Sequence, residues 1–161
     1  MPTPPLTRWA RALSWACRLT DAAGRLILHA TCVAVEGRGL LILGPSGSGK
    51  SALALQLIAY GAQLVADDRT ELTRQGHGLT ATCPDAIRGR IEARGLGILA
   101  TPTVDSVPVT LAVDLGVEES DRLPPRRSVS ILGTTLDLVL GSRDYHFPAA
   151  VMCYLKGGRT A

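Results

Sequence analysis

The segment Gly44-Pro45-Ser46-Gly47-Ser48-Gly49-Lys50-Ser51 constrains this chain more than any other, because it meets the pattern G-x-x-x-x-G-K-[ST] at every required position. A loop wrapped around phosphates must turn its backbone N–H groups inward through dihedrals that glycine takes at little cost. Lys50 then neutralises charge on the β and γ phosphates. Ser51 offers a hydroxyl to magnesium, and the N-terminus of a following helix adds donors and a favourable dipole. The flanking residues supply that context. Leu40-Leu41-Ile42-Leu43 is a short, continuously apolar run, as expected of a strand buried on both faces. After Gly49, the apolar residues Ala52, Leu53, Leu55, Leu57 and Ile58 follow helical period, and Gly61 suits the helix end. Gln63-Leu64-Val65-Ala66 returns to strand. The expectation is an α/β fold built on a right-handed βαβ unit that binds ATP or GTP.

The rest of the chain reads as one compact domain. Its 161 residues fit a single core, and 46% hydrophobic with 19% charged residues excludes a disordered chain. Leu26 to Val35 reads as one strand, joined through Glu36-Gly37-Arg38-Gly39 to the next. Thr70 to Thr73 and Leu79 to Thr82 read as short strands, Pro84 to Arg88 as a short helix, and Val109 to Leu115 as a buried strand. Val129 to Leu132 with Leu136 to Leu140 suggests a hairpin, and Glu118 to Arg127, with Pro124-Pro125, an exposed loop.

Composition narrows the partners. Aromatic residues make up 4% and the net charge is +3, so base-stacking platforms for nucleic acid are not expected. Much of the positive excess lies in the first forty residues, at Arg8, Arg11, Arg18, Arg25 and Arg38. No apolar run reaches the length of a membrane span. Cys17, Cys32, Cys83 and Cys153 are dispersed without a CxxC pair, which suits a reducing cytoplasm. Trp9 to Arg18 is arginine-bearing and poor in acids, in the manner of a transit peptide, but a helical or ragged extension is the simpler reading.

Two further segments carry chemistry. Asp67 and Asp68 stand at the carboxyl end of the strand after the helix, where ligands bind in open α/β sheets. Adjacent strand-end residues point in different directions, so one carboxylate can approach a hydroxyl nucleophile and the other the metal. Glu92 and Arg94, two apart in a strand, would share a face, with Gly95 and Gly97 permitting close backbone approach. His29 is ambiguous between a core and a catalytic residue. Asp114 ends an apolar strand in the manner of a second acidic motif, but Asp67 and Asp68 already offer that service.

Together these segments resemble the catalytic domain of the HPr kinase/phosphorylase family. The likeness runs from His29-Ala30-Thr31-Cys32-Val33-Ala34-Val35-Glu36-Gly37-Arg38-Gly39 into the phosphate loop, and then through Gly61-Ala62-Gln63-Leu64-Val65-Ala66-Asp67-Asp68. It continues through Glu92-Ala93-Arg94-Gly95-Leu96-Gly97-Ile98 and Asp121-Arg122-Leu123, spanning residues 26 to 123. The resemblance implies a P-loop kinase core with a mixed β-sheet, similar to phosphoenolpyruvate carboxykinase. It implies ATP and Mg2+ as cofactors, and a serine of the phosphocarrier HPr as phosphoryl acceptor. Reversal by inorganic phosphate is the family's second activity. In this resemblance Asp67 accepts the serine proton, Asp68 and Glu92 support magnesium with Ser51, His29 lies near the phosphates, and Arg94 grips a phosphoryl oxygen. Asp114 then falls on a structural strand.

The resemblance also has edges. Residues 1–24 read as an extension ahead of a catalytic domain at 25–161, a minimal form similar to short alphaproteobacterial members. The family's P-V-R-P-G-R-N segment has no clear counterpart in Val139-Leu140-Gly141-Ser142-Arg143-Asp144. Phosphorolysis and assembly into a homo-oligomer, both properties of longer members, therefore stay open. The competing functions are a small-molecule P-loop kinase of the shikimate or gluconate type, which needs an arginine-bearing lid, and a nucleotide-binding regulatory module without catalysis.

Overall fold

In a computed structural model, residues 19–20 and 24–161 are described. The Trp9 to Arg18 extension lies outside them. The strands are β1 (Leu19–Thr20), β2 (Leu26–Leu28), β3 (Thr31–Val35), β4 (Arg38–Leu43), β5 (Gln63–Ala66), β6 (Thr70–Gln75), β7 (Gly78–Thr82), β8 (Arg90–Ala93), β9 (Gly97–Ala100), β10 (Ser106–Glu118), β11 (Arg127–Ile131) and β12 (Thr134–Gly141). Among the described residues the helices are α1 (Lys50–Ala59) and α2 (Phe147–Gly157), with a 3-10 turn at Asp85–Ile87. Ten strands form one curled mixed sheet in the order β1-β2-β6-β7-β10-β4-β3-β5, with β12 on β10 and β11 on β12; β8 and β9 form a separate hairpin.

The centre of the sheet is the phosphate-loop strand. Leu40, Leu41, Ile42 and Leu43 are each 0% exposed, as a strand covered on both faces requires. Leu40 and Ile42 face the side where Leu53, Leu57, Val151 and Leu155 of the two helices pack. Leu41 and Leu43 face a second cluster, where β2, β6, β7, β11 and β12 supply Leu28, Leu72, Leu79, Ile131 and Leu138. Truncating fully buried Leu57 to alanine would cost about 2–5 kcal/mol. At Gly39 a Cβ would stand 2.9 Å from the Pro108 carbonyl, so only glycine lets β4 pass β10 there. The register between those strands shifts at the same place.

Several expectations need correction. The stretch Leu26 to Val35 is two strands, not one. The Ala30 N–H donates to the Leu28 carbonyl at 2.9 Å, a tight turn at His29 that sends β2 to β6 and β3 to β4 and β5. The strands flanking α1 run parallel but are not neighbours, because antiparallel β3 lies between β4 and β5. The sheet also begins ahead of residue 25, since Leu19 and Thr20 pair with Ile27 and Leu26. The Glu118 to Arg127 loop is not wholly exposed. It is pinned by an ion pair between Glu119 and Arg127, whose side chains are 13% and 12% exposed. Arg94 and Glu92 do not share a strand face, because β8 ends at Ala93 and Arg94 lies in the turn that follows. A Cβ at Gly95 or Gly97 would meet nothing of this chain within 4 Å, so the turn's own packing does not require either glycine. Helix α2 was not anticipated at all.

Candidate active site

The phosphate loop leaves β4 at Gly44 and enters α1 at Lys50. Gly44 takes φ 152°, and a Cβ there would overlap the Ser48 hydroxyl, so the first loop glycine is required by packing as well as by dihedral. No side chain caps α1; its N-cap is Gly49 in the left-handed region at φ 95°. The first-turn N–H groups are therefore left for an anion. Lys50 is 6% exposed, and its ammonium donates to the carbonyls of Gly44 at 2.9 Å and Pro45 at 3.2 Å. Burial lowers its pKa, and the charges of Asp68 and Asp67 oppose that shift. Both anions thus help keep the lysine charged at the cradle.

Asp67 and Asp68 sit at the end of β5 in contrasting surroundings. Asp67, 7% exposed, accepts three hydrogen bonds. Its Oδ1 takes one from the Ser51 hydroxyl at 2.7 Å and one from the Thr31 hydroxyl at 2.9 Å, while Oδ2 takes one from the Glu92 N–H at 3.1 Å. Asp68 points outward. Its φ of 66° is left-handed, and the Arg69 N–H donates to the Asp67 carbonyl at 2.8 Å, so the chain reverses tightly on this residue. Aspartate tolerates that conformation better than bulkier residues do. The outward carboxylate is 71% exposed and lies 3.1 Å from His29 Nδ1.

His29 and Asp68 are each at the apex of a tight turn, and threonines hold the two turns together. The Thr31 hydroxyl, fully buried, donates to Asp67 and accepts from the Asp68 N–H at 3.3 Å. The Thr70 hydroxyl, also buried, donates to the Ala30 carbonyl at 2.8 Å. Neither threonine was singled out in the sequence, although Thr31 lies two residues from His29 in an otherwise apolar stretch.

Of the expected site residues, the structure brings Lys50, Ser51, Asp67, Asp68 and His29 together at the mouth of the loop, along with the backbone of Glu92. Pro45, Ser46 and Gly47 form the exposed rim of the cradle. The Glu92 side chain is exposed on β8, and Arg94 is exposed in the β8–β9 turn. Asp114, at 0% exposure, faces the interior. Its Oδ1 accepts from the Gly116 N–H at 2.8 Å and its Oδ2 has no partner.

The oxygen set suits magnesium. Among the described residues no three His, Cys, Asp or Glu side chains gather as a metal cage, but this ion takes most of its ligands from water and phosphate and needs one or two protein oxygens. Ser51, held by Asp67 at 2.7 Å, would offer such an oxygen, and the Glu92 backbone N–H meets the same carboxylate at 3.1 Å.

A mixed sheet whose central strand feeds a glycine loop, a capless helix and a lysine, faced by carboxylates on a second strand, defines a P-loop nucleotide-binding protein. The model of the HPr Serine kinase C-terminal domain matches residues 20–107, and the chain belongs to that family. It is 42% identical over 102 residues to HPr kinase/phosphorylase of Lachnoclostridium phytofermentans, covering 61% of this chain and 33% of that protein. It is 46% identical over 78 residues to HPr kinase/phosphorylase of Stenotrophomonas maltophilia, covering 48% and 25%. The chain thus spans about a third of the length of the first of these relatives. Among solved structures it resembles the Hpr(Ser) kinase/phosphatase from Coxiella burnetii, with a TM-score of 0.69 and 27% identity over 81% of this chain and 93% of that one. The expected fold class, a P-loop kinase core with a mixed sheet, holds.

Proposed function

We propose that this chain transfers the γ-phosphoryl group of ATP to a serine hydroxyl of an HPr-like phosphocarrier protein, in the cytoplasm. The observation that carries the reading is the division of labour at the end of β5: a buried aspartate bonded to the loop serine, followed by an exposed aspartate paired with a histidine. Transfer requires that phosphates be held, that charge be neutralised and that the hydroxyl proton be accepted. The loop N–H groups and Lys50 serve the first two needs.

The geometry favours reversing the roles expected of the two aspartates. Asp67 has its oxygens committed to Ser51, Thr31 and the Glu92 N–H, so it positions the Ser51 hydroxyl. Asp68 faces solvent, where a carrier serine can arrive, and takes the proton as the serine oxygen bonds to the γ-phosphorus and the bond to the β-phosphate oxygen breaks. His29 orients that carboxylate. Arg94, exposed on the β8–β9 turn, would meet the transferred group, for which a guanidinium gives bidentate contacts. Ser51, with support from Glu92, would hold magnesium, which would supply positive charge against that developing on the phosphates.

Incubation with γ-labelled ATP, Mg2+ and a purified HPr-like carrier tests the reading. Label on a carrier serine, absent when that serine is replaced by alanine, is the expected result. Transfer to shikimate-like metabolites would instead favour the small-molecule kinase, and tight ATP binding without any transfer the regulatory module. Adding inorganic phosphate to the labelled carrier then shows whether the reverse direction operates, through release of pyrophosphate.

A further inference from the structure

Strand order divides the surroundings of the cradle in two. On one side of β4 lie β3 and then β5, which ends at Asp67 and Asp68. On the other side lie β10 and then β12, both parallel to β4 and ending on the same edge of the sheet. A nucleotide whose terminal phosphate faces Asp68 must send its nucleoside out by the opposite flank. That flank holds a cavity of about 260 Å3, which opens beside Ser48 and Gly49 and is walled by Gln56 of α1 and by Ser142, Tyr145 and Phe147.

The rim of this cavity is braced. The Ser142 hydroxyl donates to Asp144 Oδ2 at 3.0 Å and accepts from the Asp144 N–H at 3.1 Å. The Phe147 N–H donates to the Asp144 carbonyl at 3.0 Å, and Arg143 pairs with Glu118 at 3.3 Å. Tyr145 is 96% exposed, so its ring is open to stacking, and that ring is nearly perpendicular to the ring of His146 with centroids 5.7 Å apart. A pre-shaped rim lowers the ordering cost of binding. The Gln56 amide both donates and accepts, as the edge of a purine requires.

We infer that this cavity takes the purine nucleoside of the bound nucleotide, with the base stacked on Tyr145 and its edge read by Gln56. The inference rests on the nucleotide-binding part of the proposed function and is independent of the phosphoryl acceptor. Calorimetric titration of the full chain with MgATP, and separately with inorganic tripolyphosphate, tests it. Tyr145→Ala should weaken ATP about tenfold, the scale of one base–aromatic stack, and leave tripolyphosphate unchanged. Tyr145→Phe should bind both as the native chain does, and Gln56→Ala should weaken ATP alone. Because both side chains are exposed, the variants should keep the native melting temperature. Unchanged ATP affinity in both alanine variants, or an equal loss for tripolyphosphate, would overturn the inference. A native chain that binds neither ligand would instead sink the nucleotide reading, and that failure is distinguishable because it needs no variant.

Discussion

On the β5 flank of the P-loop, Asp67 gathers a serine hydroxyl, a buried threonine hydroxyl and a backbone N–H from three separate elements. On the β12 flank, Ser142 and Asp144 bond chiefly to one another, and the side chain beside them, Tyr145, is almost wholly in solvent. The first flank is therefore a long-range network whose members stand 16 to 36 residues apart. Damage to one member should spread to the fold. The second is a local turn, and a change there should touch binding without touching stability. Chemistry that needs fixed distances suits the first construction, and recognition of a planar base tolerates the second.

The largest effect should come from the residue that serves both flanks. Lys50→Ala removes the loop's cation and its two carbonyl contacts, so ATP and tripolyphosphate should both bind at least tenfold more weakly and transfer should fall on the order of a thousandfold. Titration and initial rates measure the two losses; normal transfer would remove the loop from the mechanism. Next come the aspartates, compared as a pair. Asp68→Asn should cut transfer roughly a hundred- to ten-thousandfold, the range for losing a general base, while ATP affinity and Tm stay native. Asp67→Asn should lower stability, because an amide cannot accept from Ser51, Thr31 and the Glu92 N–H with both of its terminal atoms. If Asp67→Asn melts normally and Asp68→Asn transfers normally, the roles return to the order suggested by resemblance alone.

Smaller still is the effect of Thr31→Val, which keeps the shape and removes one donor to Asp67 and one acceptor for the Asp68 N–H. Leaving a buried carboxylate oxygen short of a donor should cost about 2 kcal/mol, or roughly 4 to 8 °C in Tm for a chain of this size. Thermal unfolding followed by circular dichroism measures it, and an unchanged Tm would show that the network is not load-sharing.

The same contrast explains what was legible in the sequence. The strand, loop and helix from Leu40 to Ala59 could be read directly, because glycine spacing, a short apolar run and helical period are local signals. The insertion of β3 between β4 and β5 could not, since nothing in βαβ spacing says whether a third strand enters. The break at His29 was hidden by continuous β-type residues on both sides. The roles of Asp67 and Asp68 depend on a left-handed φ at the second of them, which two identical neighbours do not advertise. Helix α2 carries no capping side chain, and its C-terminal carbonyls are met from far away, by Arg38 donating to Leu155 and Lys156 at 2.7 and 2.8 Å. Its own start and stop signals are limited to Pro148 in the first turn, Lys156 in the last and Gly158 at the C-cap.

Asp114 lies on β10, between β4 and β12, and its substitution should give the smallest effect. It is the one acidic residue of the described core whose second oxygen is buried without a partner. Burial raises its pKa above the ordinary carboxylate value, and the Gly116 N–H works against that shift. With its folded pKa above its unfolded one, the native state holds the proton more tightly. Its contribution to stability is then fullest below the unfolded pKa of about 4 and is lost as pH rises through the folded pKa. Asp114→Asn keeps the acceptor for Gly116 and replaces a buried charge with a buried amide, which costs less. At neutral pH the variant should therefore be the more stable by about 1 kcal/mol, and the advantage should shrink as the solution is acidified toward the carboxylate range. Urea unfolding at neutral and at mildly acidic pH measures both gaps. A gap independent of pH would mean that Asp114 binds its proton equally well in the native and unfolded states, and β10 would then carry no titratable strain.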